Sequence, residues 1–345
     1  MIAQEEIVYA LYEHEQEQLK SEPAQKNSQR KVASKDKNPS DNPQSAYKIQ
    51  IAWKSVARLI VLHAFALYGL TQLGRVSTAT ILFTIVLMLF TSMGVQVGVH
   101  RLWSHRSFKA NFGVRLFLAF CQTLSLQNDI YEWARDHRAH HKFSETDADP
   151  HNSKRGFFFS HVGWLMVKKH PEVFRRGKTV DMSDLLADPI VRFQRRFYLP
   201  LVLLIWGFLP TVIPVYFWGE SLWRSFLVCL ALRYAYSLNS TWLVNSWCHM
   251  YGSRPYDKGI APVEASIRHV ILGEGFHNYH HAFPWDYSAS ELGPSDVFNL
   301  STAVIDFFAL FGWVWDRKKV NSKMVAAKMV SKGDPKAKGL YQEQK

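Results

Sequence analysis

Residues 77–105 read STATILFTIVLMLFTSMGVQVGVHRLWSH. No charged side chain occurs between Ser77 and Val99, and a helix needs about 20 residues to cross a bilayer. The core of the run, ILFTIVLMLF, is apolar on every side, whereas a helix buried on one face of a soluble protein would show a polar stripe. The run predicts a membrane-crossing helix, and it ends directly in two imidazoles, His100 and His105.

Working outward, three further runs have comparable length: 56–73, 197–218 and 222–245. The connections within each pair, 56–73 with 77–99 and 197–218 with 222–245, are only a few residues long, so the four read as two helical hairpins. The expected fold class is all-α: an integral membrane four-helix bundle of two hairpins with a cytosolic helical cap. Two shorter runs, Val114–Leu126 and Leu300–Trp315, are interrupted by polar residues. They read as helices lying in the interface, with Trp313 and Trp315 at headgroup level.

The 345 residues carry a net charge of +12, and only 20% are charged. Mean hydropathy is -0.14, an average of polar ends and an apolar middle. Residues 1–46, rich in Gln, Glu, Lys, Ser and Pro, read as a disordered polar tail without a cleavable signal. Residues 47–320 form the expected membrane domain, and 321–345 a basic tail with a short surface helix. No helix-turn-helix, zinc-finger or RNA-binding signature accompanies the basic charge, so no nucleic-acid partner is expected. Cys121, Cys229 and Cys248 are scattered among apolar segments and make no disulfide framework. Cys248 reads as a packed small hydrophobe, although it adjoins His249.

Charge also sets the orientation. The hairpin tips carry little beyond Arg75 and Glu220, while the N-terminal tail, 101–196 and 246–345 carry most of the Lys and Arg. The positive-inside rule places both termini and these long segments in the cytosol.

Nine of the fifteen histidines fall into a pattern on that side. HRLWSH supplies His100 and His105, HRAHH supplies His137, His140 and His141, HNYHH supplies His277, His280 and His281, and His249 follows the last span. On a helix, i, i+3 and i+4 share a face, so each HxxHH presents three imidazoles in one direction. Asn245 and His249 align in the same way. One ion takes roughly four to six ligands, so nine suit two. Imidazole accepts zinc, copper, iron or nickel. An all-histidine pair without a carboxylate bridge points to iron and O2 chemistry, with Asn245 placed to hold a water.

HRLWSHRSFKA (100–110), EWARDHRAHHKFSETDADPHN (132–152), GFFFSHVGWL (156–165) and GEGFHNYHHAFPWDY (273–287) resemble the histidine boxes of the membrane acyl-CoA desaturases, the stearoyl-CoA desaturase-like family, over about 50–317. The resemblance implies that the nine histidines bind two iron ions, with Asn245 acting through a water. It implies an O2-dependent, by default delta-9 cis, desaturation of a saturated fatty acyl-CoA such as stearoyl- or palmitoyl-CoA. Electrons would come from cytochrome b5 and its NADH-dependent reductase at the endoplasmic reticulum membrane.

The same resemblance implies substrate contacts at Asn128, Arg135, Asp136, Lys168, Lys169 and Trp242. Ser55 and Lys168 depart from the family's pattern, in which asparagine and arginine are usual. Thr84 and Met88 on the second span are candidates for the closed end of a chain-length tunnel. Asp147 and Asp149 are candidates to hydrogen-bond ligand imidazoles, and His151, His161, His170 and His269 flank the boxes. Arg233, mid-way along the fourth run, should face the bundle with a partner. Alternatives that keep the same ligands are a diiron membrane hydroxylase and a non-catalytic zinc-binding receptor or scaffold.

Overall fold

The computed structural model describes residues 47–294 and 298–337; the expectation for 1–46 and the last eight residues lie outside these. The described residues from Lys48 onward belong to one compact unit and are mostly helical.

Each long apolar run is a helix. α1 spans Trp53–Leu70, and α2 spans Thr78–Ser104. α2 starts where the Ser77 hydroxyl accepts from Thr80 N. α3 (Phe112–Ser125) is capped by Asn111 and α4 (Ile130–Phe143) by Asp129, each side-chain oxygen taking an otherwise unpaired backbone N–H. α5 (Pro189–Arg196) precedes α6 (Tyr198–Trp218). Gly219, in the left-handed conformation, ends α6, and α7 runs over 222–250. α8 (His277–Ala282), α9 (Leu300–Leu310) and α10 (Ser322–Lys332) complete the chain.

α1 packs along the 226–232 part of α7, and α3 along the 93–104 part of α2. At the hairpin tips Glu220 accepts from Ser77 N and Thr80 Oγ1, both at 2.9 Å, and from Arg224 Nε at 3.0 Å, joining the start of α2 to the α6–α7 turn. A two-stranded antiparallel pair, β1 (Lys109–Ala110) and β2 (Val314–Trp315), ties the entry of α3 to the exit of α9.

Among the described residues two helices, α2 and α6, are long and apolar enough to cross a membrane. Their sides are largely uncovered by protein, with 39% and 22% of their apolar windows buried; Leu199, Leu203, Phe208 and Phe217 of α6 stand exposed. α1 and α7, also expected as spans, are helices of lower apolarity. The reason is local: Lys54, Arg58 and His63 on α1, and Arg224, Arg233, Asn239 and Asn245 on α7. Most of these turn inward, onto a cavity and the polar groups around it. Arg233 is fully buried and meets only neutral partners: Cys229 O at 2.8 Å, Thr91 Oγ1 at 2.9 Å and Leu124 O at 3.3 Å.

The interrupted run Leu300–Trp315 is helical only to Leu310, the remainder turning into β2. Phe112, Leu116, Phe307, Leu310, Phe311, Trp313 and Trp315 are all exposed. α10 docks onto the body: Val325 is buried beside Tyr256 and Phe283, and Lys258 N donates to Lys332 O. All three cysteines are buried thiols, and Cys248 packs with Val263, Ala265 and Ile271.

Candidate metal centre and its cavity

The last twelve residues of α2, Met93–Ser104, wind as a π-helix. Its i→i+5 bonding continues into His105 N donating to His100 O at 3.1 Å. Five-residue spacing would splay His100 and His105 around an α-helix, whereas the wider turn brings their rings to 4.9 Å. π-turns inside helices frequently mark functional sites, and this one aims two imidazoles at α4.

The nine histidines collect into two groups: His100, His105, His137, His141 and His280 in one, and His140, His249, His277 and His281 in the other. Within each group the ligand nitrogens lie within 4.8 Å of one another. Each HxxHH therefore straddles both groups rather than serving one direction. On α4 the i,i+4 pair His137/His141 joins the first group and His140 the second. On α8 the i,i+4 pair His277/His281 joins the second and His280 the first. A step of four residues turns a helix by about 40° beyond a full turn and a step of three stops about 60° short, which separates the members.

Many Nε2 atoms face each other directly: His105 to His137 at 2.8 Å, His100 to His280 at 3.0 Å, His249 to His277 at 3.0 Å, and His280 to His141 at 3.1 Å. Nitrogens about 2.1 Å from an ion and 90° apart would lie about 3.0 Å from each other. The spacing thus fits neighbouring positions around a six-coordinate ion. Burial, and then the nearby rings, hold His137, His141, His277, His280 and His281 well below the usual imidazole value. They are neutral at physiological pH, the form that ligates.

Carboxylates orient the outer nitrogens. Asp149 Oδ1 is 2.9 Å from His140 Nδ1, and Glu145 Oε1 is 2.9 Å from His249 Nδ1. Glu274 Oε2 is 3.7 Å from His100 Nδ1 while its Oε1 accepts from Arg101 at 2.7 Å. A carboxylate on the far nitrogen fixes tautomer and ring angle. Burial alone would raise Asp149 and Glu145. His140 and its hydrogen bond, with His151, draw Asp149 down, and hydrogen bonds to Glu145 from His249 and from Ser153 draw Glu145 down.

Asp147, one of the two carboxylates singled out from the sequence, is exposed. Glu145, two residues earlier and at φ 61°, reaches His249 instead because the 144–154 loop folds back on itself. Glu145 and Glu274 escaped sequence reasoning. Their only signal was a carboxylate inside a quoted box.

A cavity of about 770 Å³ opens beside the first group. His137, Asp136, Asn128, Trp242 and Asn245 line it near the histidines, and Phe65, Phe226, Leu230 and Leu238 line its apolar body. Ser55 and Arg58 also reach it. Asp136 is paired with Arg135 at 2.9 Å and with Lys169; Lys168 is exposed beside them. Thr241, in the cavity wall, accepts from Gln127 at 3.1 Å and also borders a second cavity of about 30 Å³ with Met88. Neither Thr84 nor Met88 lines the large cavity. Thr84 is buried 3.2 Å from Cys229 Sγ, because the α2 face that carries it packs on α7.

Of the flanking histidines, His151 lines the cavity and packs on His140 at 4.4 Å, and burial with the nearby His140 lowers it to about 3. His170 accepts from Glu172 N and so caps the short helix Pro171–Gly177, and His269 lies against Phe298.

Residues 77–292 match the family model described as fatty acid desaturase. The chain belongs to the fatty acid desaturase family. It is 51% identical over 292 residues to the protein named stearoyl-CoA desaturase 5 of Bos taurus, covering 84% of this chain and 87% of that one. It is 51% identical to the acyl-CoA Delta-9 desaturase of Acheta domesticus, over 85% and 82% of the two chains. It is likewise 51% identical to the stearoyl-CoA desaturase of Homo sapiens, over 83% and 80%. The desaturase match contains all nine clustered histidines.

Proposed function

We propose that this chain is an O2-dependent acyl-CoA desaturase that introduces a double bond, by default cis and at delta-9, into stearoyl- or palmitoyl-CoA. The observation that carries the reading is the apolar cavity of about 770 Å³ ending on His137, a member of a nine-imidazole centre. A pocket of this size and polarity suits a long acyl chain. The relatives' names supply the substrate class.

In this reading the nine histidines hold two iron ions, which would supply the O2 activation that side chains lack. Asn245 orients a water beside the second histidine group. Arg135, Lys168 and Lys169 attract the phosphates of the CoA head at the cavity entrance, and Asp136 holds Arg135 and Lys169 in place. Asn128 and Trp242 sit where the carbonyl and first methylenes would pass. Asp149, Glu145 and Glu274 keep the ligand rings oriented. Met88 limits chain length through the small cavity beyond Thr241.

We place α1, α2, α6 and α7 as four membrane spans, with both termini and the metal centre in the cytosol of the endoplasmic reticulum. The exposed apolar sides of α2 and α6, and the exposed aromatic residues of α3 and α9 at headgroup level, support this arrangement. O2 takes four electrons in becoming two waters and the substrate gives two; cytochrome b5 and its NADH-dependent reductase would deliver the other two, drawn to the basic face. Expression in a desaturase-deficient yeast, with double bonds located by mass spectrometry, tests the reading. Delta-9 monoenes are expected; hydroxylated acyl chains would favour a hydroxylase, and an unchanged lipid profile would reject both.

A further inference from the structure

Three elements meet behind Trp242 through polar side chains that the proposed reaction does not use. His63 lies on α1, His161 on the 159–163 turn, and Asn239 and Ser246 on α7, one helical turn either side of Trp242. The hydrogens in this chain can be assigned. Leu59 O lies 2.8 Å from His63 Nδ1, so Nδ1 carries the proton and Nε2 accepts. Ala235 O accepts from Asn239 Nδ2 at 2.8 Å, which fixes the amide. Its other hydrogen points to His63 Nε2 at 3.1 Å, and its Oδ1 accepts from His161 Nε2 at 3.2 Å. His161 Nδ1 then faces the Ser246 hydroxyl at 3.0 Å, and that hydroxyl also lies 2.9 Å from Trp242 O. Each donor has an acceptor, with the one Ser246 proton shared between two.

The indole of Trp242 contacts both rings. His63 stacks on it at 6.2 Å and 26°, and His161 meets it edge-on at 5.7 Å and 79°. Trp242 is 3% exposed and walls the large cavity one turn from Asn245. Packing alone would be met by apolar side chains; a satisfied polar chain across three elements specifies a single arrangement instead.

We propose that His63, Asn239, His161 and Ser246 form a polar strap that fixes the Trp242 indole. They are positioning residues that decide which methylene pair, and what chain length, rests beside the histidine centre. The inference rests on the acyl-CoA desaturase reading. A displaced indole would move the cavity wall and let the chain seat in more than one register.

The test compares wild type with Asn239→Leu, His161→Leu, His161→Gln and Ser246→Ala in a desaturase-deficient yeast. Product chain length and double-bond position are read by mass spectrometry and normalised to protein. Glutamine can still donate to Asn239 and accept from Ser246, so His161→Gln should keep the wild-type isomer ratio. The two leucine variants should raise the share of minor positional isomers by about fivefold, the weight of roughly one hydrogen bond. Where a leucine variant does not accumulate, Ser246→Ala should show a smaller rise in the same direction. Unchanged ratios in the variants that accumulate, with only the amount of product falling, would overturn the strap. So would identical profiles for His161→Gln and His161→Leu. A wild-type control yielding no alkene would reject the underlying desaturase reading and the strap with it.

Discussion

Asp149 and Glu145 each hold one imidazole of the second histidine group at 2.9 Å. Loss of such an outer partner typically costs 10–100-fold in metal affinity or activity. Asp149→Asn and Glu145→Gln should therefore fold, yet lose metal to a chelator at concentrations about tenfold to a hundredfold lower than wild type, read by metal analysis after dialysis. Equal retention would make these carboxylates loop-ordering groups only. At the small cavity, Met88→Ala should shift products toward longer chains, and an unchanged chain-length profile would remove Met88 from that role. The nine clustered histidines and their spacing were legible in the sequence because imidazole periodicity survives without coordinates. Glu145 was not, since a residue at positive φ in a loop shows no periodicity that would aim it at His249.

At the scale of elements, each HxxHH helix serves both histidine groups. His141→Ala should deplete the first group and His140→Ala the second, so each should lower the bound metal to about half of wild type, while replacement of both should nearly empty the protein. Joint loss of both ions in each single variant would argue for one shared site. The α2–α3 contact can be tested separately. A Cβ at Gly94 would lie 2.3 Å from Cys121 C and Gln122 N, both backbone atoms that do not yield easily. Gly94→Ala should cost about 3 kcal/mol or more, seen as a lower thermal midpoint in detergent. Helix positions followed from the apolar runs. The π-turn that pairs His100 with His105 did not, because periodicity rules assume a single helical pitch.

Across the whole molecule, one pattern joins the parts. The outward faces of α2 and α6 are apolar, the inward faces of α1 and α7 carry the polar groups, and the cavity between them ends at the histidines. This division explains why all four long runs were visible in the sequence although only α2 and α6 are apolar enough to cross a membrane by composition: inward-facing polar residues dilute the signal of α1 and α7. The most direct test of a desaturase centre at the cavity's end is turnover of the iron-loaded protein in liposomes with stearoyl-CoA, cytochrome b5, its reductase and NADH. The expected result is an acyl chain lighter by two hydrogens, with one NADH and one O2 consumed per double bond. An alcohol product, or the absence of substrate-dependent O2 uptake, would contradict it.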